Sequence, residues 1–211
     1  MNLKFSGKSK KNFMLDLYKE KFKRLEIIVG KIFSLLPLTP NQWTLLSLIF
    51  ALGVFYFLIK QKLIYATLFF FIASFLDFID GAVARYKSVS TKLGAYLDTI
   101  CDRYVEAILL LGMLFLPLPK IFLPKEIWIF LILFGSMMTT YAKSTAKEKE
   151  LVIEELKGGI LSRSERLFLF LLALISGIFN YQWMVYFLIL IAILTNLSAI
   201  QRIMMAMKKI S

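Results

Sequence analysis

Residues 167–201 form a run of 35 without one charged side chain. A membrane-spanning helix needs about 20 apolar residues, so this run is too long for one crossing and too apolar for a water-facing surface. Asn180-Tyr181-Gln182 divides it, which predicts two spanning helices joined by a tight turn. The same logic places the other crossings. Residues 43–59 are free of charge, and Thr39-Pro40-Asn41-Gln42 supplies a helix start, with Thr39 as cap, Pro40 in the first turn and Gln42 at the capping-box position. Lys60-Gln61-Lys62 turns the chain and a second helix returns over 63–85. A third leaves over 92–116 until Pro117, Pro119 and Pro124 break it, and a fourth covers about 126–144. The expected fold is therefore an all-α membrane protein with six transmembrane helices. Its 59% hydrophobic content excludes an ordinary soluble domain.

Ahead of the first span, Phe13, Met14, Leu17, Tyr18, Phe22, Leu25, Ile28, Val29, Ile32, Phe33 and Leu36 recur at helical spacing among charged positions. This predicts an N-terminal amphipathic juxtamembrane helix lying on the membrane, ended by Pro37; a packed helix of a soluble cap is the alternative. The expected division is a basic N-terminus with interfacial helix over 1–38, then a six-helix domain over 39–211. The basic N-terminus lacks an apolar core followed by small residues, so no cleavable leader is expected. The single cysteine, Cys101, excludes an intramolecular disulfide.

The net charge of +12 reads as membrane topology and contact with anionic lipid, not as nucleic-acid binding. Basic clusters fall around 4–31, 85–92, 143–166 and 202–209, all on one side of a six-span layout. The opposite loops hold only Lys60, Lys62, Lys120 and Lys125. The positive-inside rule then places both termini and the intervening motif loop at the cytoplasmic face of the cell membrane. Trp43, Trp128 and Trp183 sit near helix ends and read as interfacial anchors.

Against this background the acids stand out. Asp77, Asp80, Asp98 and Asp102 interrupt apolar helices, and the chain has no histidine. Asp77 and Asp80 are three apart, Asp98 and Asp102 four apart, so each pair lies on one helix face. The polar interval holding Arg85, Lys87 and Lys92 reads as a short loop, and the hairpin brings the four carboxylates to one depth near one membrane face. Charged groups in that setting pair, bind ions or do chemistry. Four of one sign require cations, and hard oxygen donors at this density suit Mg²⁺ or Mn²⁺, two ions better than one. Gly81 and Gly94 permit close approach of a backbone or a ligand. Glu106, one turn beyond Asp102, reads as a hydrogen-bonded core carboxyl.

The pattern Asp77-x-x-Asp80-Gly81-x-x-Ala84-Arg85-x8-Gly94-x-x-x-Asp98-x-x-x-Asp102 resembles the signature of the CDP-alcohol phosphotransferase family at all eight of its fixed positions. The resemblance implies a membrane enzyme, working as a homodimer, that transfers a phosphatidyl-type group from a CDP-lipid to an alcohol with release of CMP. It implies that Asp77, Asp80 and Asp98 are metal ligands, that Asp102 is the general base and also touches metal, and that Asp77, Gly81, Ala84 and Arg85 line the CDP-lipid site. Gly94 to Arg103, Tyr141-Ala-Lys143 and Arg163-Ser-Glu165-Arg166 resemble the inositol-phosphate branch of the family. That implies myo-inositol 1-phosphate as acceptor, its phosphate held by Lys143, Arg163 and Arg166. Thr145 stands where that branch commonly has arginine, which keeps glycerol 3-phosphate open as acceptor. A divalent-cation transporter with an acidic site is the rival of another class. Such sites usually lie near the membrane midplane between related halves, whereas these acids lie near one face and the halves show no visible similarity.

Overall fold

Spanning lengths of apolar sequence, each closed by a turn signal, produce a bundle of helices. A computed structural model of the chain describes residues 23–89, 91–152 and 159–208. Among them the protein is all-α, with one isolated bridge between Ile121 and Leu123 as its β-type pairing. Helix α1 covers 23–33. It is followed by α2 (Pro40–Ile59), α3 (Leu63–Tyr86), α4 (Lys92–Met113), α5 (Lys125–Glu148), α6 (Arg163–Phe179) and α7 (Tyr181–Lys208). Residues 1–22, which hold the expected basic tail and the start of the expected amphipathic helix (Phe13, Met14, Leu17, Tyr18 and Phe22), lie outside the described residues, as do Ser90, 153–158 and 209–211.

Among the described residues four helices, α2, α3, α5 and α7, are long and apolar enough to cross a membrane. The other two long helices fall short for reasons that concern the site. Helix α4 carries Lys92, Asp98, Asp102, Arg103 and Glu106, and α6 has only 17 residues and opens on Arg163 and Arg166.

Local chemistry sets the ends. The backbone N–H of Thr39 donates to Gln42 Oε1 at 2.8 Å, the return half of the capping box, with Pro40 as the first helical residue. Asn180 breaks α6 from α7 in extended conformation, and its side chain accepts from the N–H of Gln182 at 2.7 Å. Helix α4 stops three residues earlier than expected. Residues 114–116 tighten into a turn, because the residue before Pro117 is pushed out of the helical region.

Helix α2 packs on α3 and α4, α7 packs on α5 and α6, and α3 meets α6 while α4 meets α5. The main core joins Leu58, Phe70, Leu109, Met113, Ile132, Phe170, Leu174 and Met184. A second cluster, Val29, Trp43, Leu76, Ile79, Ala82 and Val83, ties α1 and α2 to the charged end of α3. Trp43 corrects the anchor expectation: it is only 4% exposed. Its ring meets Phe33 edge-on at 5.7 Å, so α1 covers what would otherwise be an interfacial side chain. Trp183, at 61% exposure, keeps the open position expected of an anchor.

Helix α1 docks through a glycine. A Cβ on Gly30 would lie 2.6 Å from the carbonyl oxygen of Ala82 and 2.8 Å from Cβ of Tyr86. The obstacle is backbone, which cannot swing away. Gly30→Ala is therefore expected to push α1 off α3 at a cost of about 1–3 kcal/mol. Amide hydrogen exchange across 23–33 should accelerate; unchanged exchange would mean that α1 accommodates the methyl.

Candidate active site

The hairpin between α3 and α4 builds one half of the site. Asp77, Asp80, Gly81, Ala84 and Arg85 occupy the last three turns of α3, and Asp98, Asp102, Arg103 and Glu106 lie on α4. Thr91 caps α4, its Oγ1 accepting from the N–H of Gly94 at 2.9 Å. This cap sets where α4 begins and so the depth of its acids. Asp77, Asp98 and Asp102 each present one carboxylate oxygen, and these three lie within 4.8 Å of one another. Oxygen donors gathered so closely fit a hard divalent cation. Asp80 lies outside this triple. It is 5% exposed, and Thr44 Oγ1 of α2 donates to its Oδ2 at 2.6 Å.

Helix α6 supplies the opposing charge. Its start is pinned by a full capping box: Ser162 Oγ accepts from the N–H of Glu165 at 3.4 Å, and the N–H of Ser162 donates to Glu165 Oε2 at 2.6 Å. Arg163 therefore leaves the first turn toward α3 and α4. Its Nη1 and Nη2 donate to the two oxygens of Asp77 at 2.8 and 3.0 Å, and Nη2 lies 2.5 Å from Asp102 Oδ1.

Arg166, one turn on, is 2% exposed. Its Nε and Nη2 grip the two oxygens of Glu106 at 3.1 and 2.7 Å. Glu106, 1% exposed, also faces Arg103 Nη2 at 3.2 Å and accepts from the hydroxyl of Ser136, which in turn accepts from Arg103 Nη1 at 2.8 Å. The expected hydrogen-bonded core carboxyl is thus the hub of a buried network from α4, α5 and α6. Lys143 lies half-buried on α5.

Beside the acids opens a cavity of about 430 Å³, whose walls include Thr44, Asp80, Gly81, Ala84, Arg85 and Asp98. Arg85 lies over Gly81, where a Cβ would come within 3.0 Å of its Nη2, and its Nε donates to Glu26 of α1. The structure thus gathers Asp77, Asp98, Asp102 and Arg163 at one point. It sets Asp80, Gly81, Ala84 and Arg85 along the cavity and buries Arg166 behind Arg163.

Sequence reasoning did not single out Thr44, Arg103 or Glu26. Thr44 had a visible signal, a hydroxyl in an otherwise uncharged span. Arg103 had one as well, Glu106 three residues on along the same helix, whereas its bond to Ser136 and the pairing of Glu26 with Arg85 cross between helices and left none.

Apolar helices with carboxylates and guanidinium groups converging beside a cavity suit a membrane protein that handles a charged headgroup. Residues 37–207 match the CDP-alcohol phosphatidyltransferase family, and the chain belongs to it. It is a metal-dependent transferase of phospholipid synthesis in a multi-pass membrane protein. It is 31% identical over 205 residues to the archaetidylinositol phosphate synthase of Pyrococcus horikoshii, spanning 93% of this chain and 98% of that one. It is 35% identical over 178 residues to the bifunctional IPC transferase and DIPP synthase of Aquifex aeolicus, spanning 81% of this chain and only 39% of that longer protein. In fold it resembles the phosphatidylinositol phosphate synthase of Mycobacterium tuberculosis, crystallised with CDP-DAG bound, at a TM-score of 0.72 and 23% identity over 87% of this chain and 94% of that one. A crystal structure of the same mycobacterial protein with manganese and citrate matches at the same TM-score.

Glu106→Gln removes the charge that compensates Arg166 and Arg103 in a buried setting. Breaking a buried pair on one side costs about 3–5 kcal/mol. The thermal midpoint in detergent should fall accordingly; an unchanged midpoint would show that the network contributes nothing to the fold.

Proposed function

We propose that the protein moves a phosphatidyl-type group from a CDP-lipid, CDP-diacylglycerol or CDP-archaeol, to myo-inositol 1-phosphate, releasing CMP. One observation carries this: the carboxylates of Asp77, Asp98 and Asp102 lie within 4.8 Å of one another, with Arg163 against two of them and the cavity of Gly81, Ala84 and Arg85 alongside. Similarity to a synthase of an inositol phosphate lipid across nearly the whole chain supports the choice of acceptor. The transporter reading has no support once the family is known.

In this reading the acceptor hydroxyl attacks the phosphorus on the lipid side of the diphosphate. The new P–O bond forms as the bond to CMP breaks, and the hydroxyl proton passes to Asp102. Asp77, Asp80, Asp98 and Asp102 would hold Mg²⁺ or Mn²⁺, two ions per site, which when bound supply positive charge to the diphosphate and the leaving group. Gly81 and Ala84 keep the cavity wall low, and Arg85 offers a guanidinium to phosphate. Arg163 and Lys143 bind the acceptor phosphate. Arg166 is the third candidate for that phosphate, and in the structure it is 2% exposed and held by both oxygens of Glu106.

The membrane layout belongs to the same proposal. Helices α2 to α7 form six spans, with α4 and α6 inserted despite their charges because those charges pair inside the bundle. Helix α1 lies at the interface: Leu25, Ile28 and Ile32 form an exposed apolar face, opposite the side that docks. Residues 1–38 precede a six-helix domain over 39–211. The termini and the site face the cytoplasm, where a CTP-derived substrate is available, and two copies form a dimer in the cell membrane.

The test is CMP release by purified protein in detergent with Mg²⁺ and CDP-diacylglycerol. Release with myo-inositol 1-phosphate and not with glycerol 3-phosphate is expected. The reverse would overturn the acceptor, consistent with the departure at Thr145, and no release with either would overturn the transfer. Asp98→Asn should abolish release; retained turnover would remove Asp98 from the metal set. Lys143→Ala should raise the KM for the acceptor more than that for the CDP-lipid, and equal changes would exclude it as an acceptor contact.

A further inference from the structure

Helix α1 precedes the residues that match the family, yet it touches Arg85, a residue of the cavity wall. Gly30 seats its backbone on Ala82 and Tyr86, the residues that flank Arg85 on α3. Glu26 stands four residues before Gly30, so the two share a helix face. That face turns the Glu26 carboxylate onto Arg85, whose Nε donates to Glu26 Oε1. The other end of the same guanidinium lies over Gly81. A Cβ there would come 3.0 and 3.2 Å from its Nη2 and Nη1. Gly81 and Arg85 both line the cavity, together with Asp80 and Asp98. The guanidinium is a rigid planar fork, so holding the Nε edge fixes where the two terminal nitrogens point.

We propose that Glu26 is a positioning residue of the CDP-lipid site: it holds Arg85 by its Nε edge so that Nη1 and Nη2 are presented over Gly81 to an anionic diphosphate. This rests on the reading of the cavity as the CDP-lipid site. The Arg85 side chain is 58% exposed, against 21% for that of Glu26. Without Glu26 a long exposed side chain is left with many rotamers, and a ligand must order it on binding. Helix α1 is then more than a membrane rest. It carries the second anchor of a residue in the substrate wall.

The experiment uses the full chain in detergent, measuring equilibrium binding of CDP-diacylglycerol and the KM of both substrates. Glu26→Ala is expected to weaken CDP-diacylglycerol binding and raise its KM about two- to fivefold, the range of an exposed ion pair. The acceptor KM should stay unchanged. Glu26→Gln, which keeps an acceptor oxygen, should fall between, and it serves as the deciding variant if Glu26→Ala folds poorly. In an Arg85→Ala background Glu26→Ala should add nothing, because its effect runs through Arg85. Unchanged CDP-diacylglycerol binding would overturn the inference. So would equal rises in both KM values, or the same factor with and without Arg85. Failure of the functional reading looks different: the wild-type chain itself would neither bind CDP-diacylglycerol nor release CMP, and the inference would fall with it.

Discussion

The bundle tolerates Asp77, Asp102 and Glu106 because guanidinium groups from α6 meet them. An isolated charge inside an apolar helix bundle costs several kcal/mol, and a paired one far less. Here the pairing is distributed. Arg163 answers Asp77 and Asp102, Arg166 answers Glu106, and Arg103 shares Glu106 with Ser136. Removing Glu106 takes the ion pair from Arg166, and removing Arg163 takes it from both Asp77 and Asp102. The network therefore makes α3, α4, α5 and α6 depend on one another at their charged end, while the apolar core of Phe70, Leu109, Ile132 and Phe170 joins them lower down.

The division of labour within the network follows from exposure. Glu106 and Arg166 are sealed, at 1% and 2%, and serve position. The Arg163 side chain, at 24%, is less completely sealed. An Arg with bidentate reach can hold a carboxylate or a phosphate with the same fork. The capping box of Ser162 and Glu165 ties this to sequence: by fixing where α6 starts, it fixes that Arg163 faces Asp77 and that Arg166 faces Glu106 one turn later.

How legible this was in the sequence depends on range. The hairpin from Asp77 to Asp102 could be read because its carboxylates lie three or four residues apart on two helices joined by a short loop, and helix geometry then does the placing. The break at Asn180 was equally local. The helix ends were less so: Leu116 stays outside α4 because Pro117 acts on the residues before it. Partners separated by tens of residues were not legible. Arg163 and Asp77 are 86 apart, and nothing in either neighbourhood names the other. The burial of Arg166 and of Trp43 also went unread, since a charge at a helix start and a tryptophan near a helix end both suggest exposure. Arg166 is covered by pairing with Glu106, 60 residues away, and Trp43 by Phe33 of the preceding helix, which docks through Gly30.

The two long helices that fail the test of length and apolarity are the two that bring charge to the site from outside α3. Helix α4 cannot be uniformly apolar, because it must present Asp98, Asp102, Arg103 and Glu106 inward. Helix α6 is short because its first turn belongs to the site. Apolarity along a helix reports what surrounds it only when its polar groups face lipid. Where they face one another, as Arg166 and Glu106 do, the helix is buried chemically as well as sterically, and its outward residues such as Leu111 and Phe168 stay as exposed and apolar as those of α2. Helix α4, by its charges, and helix α6, by its short length, are set apart by what they bring to the site beside α3.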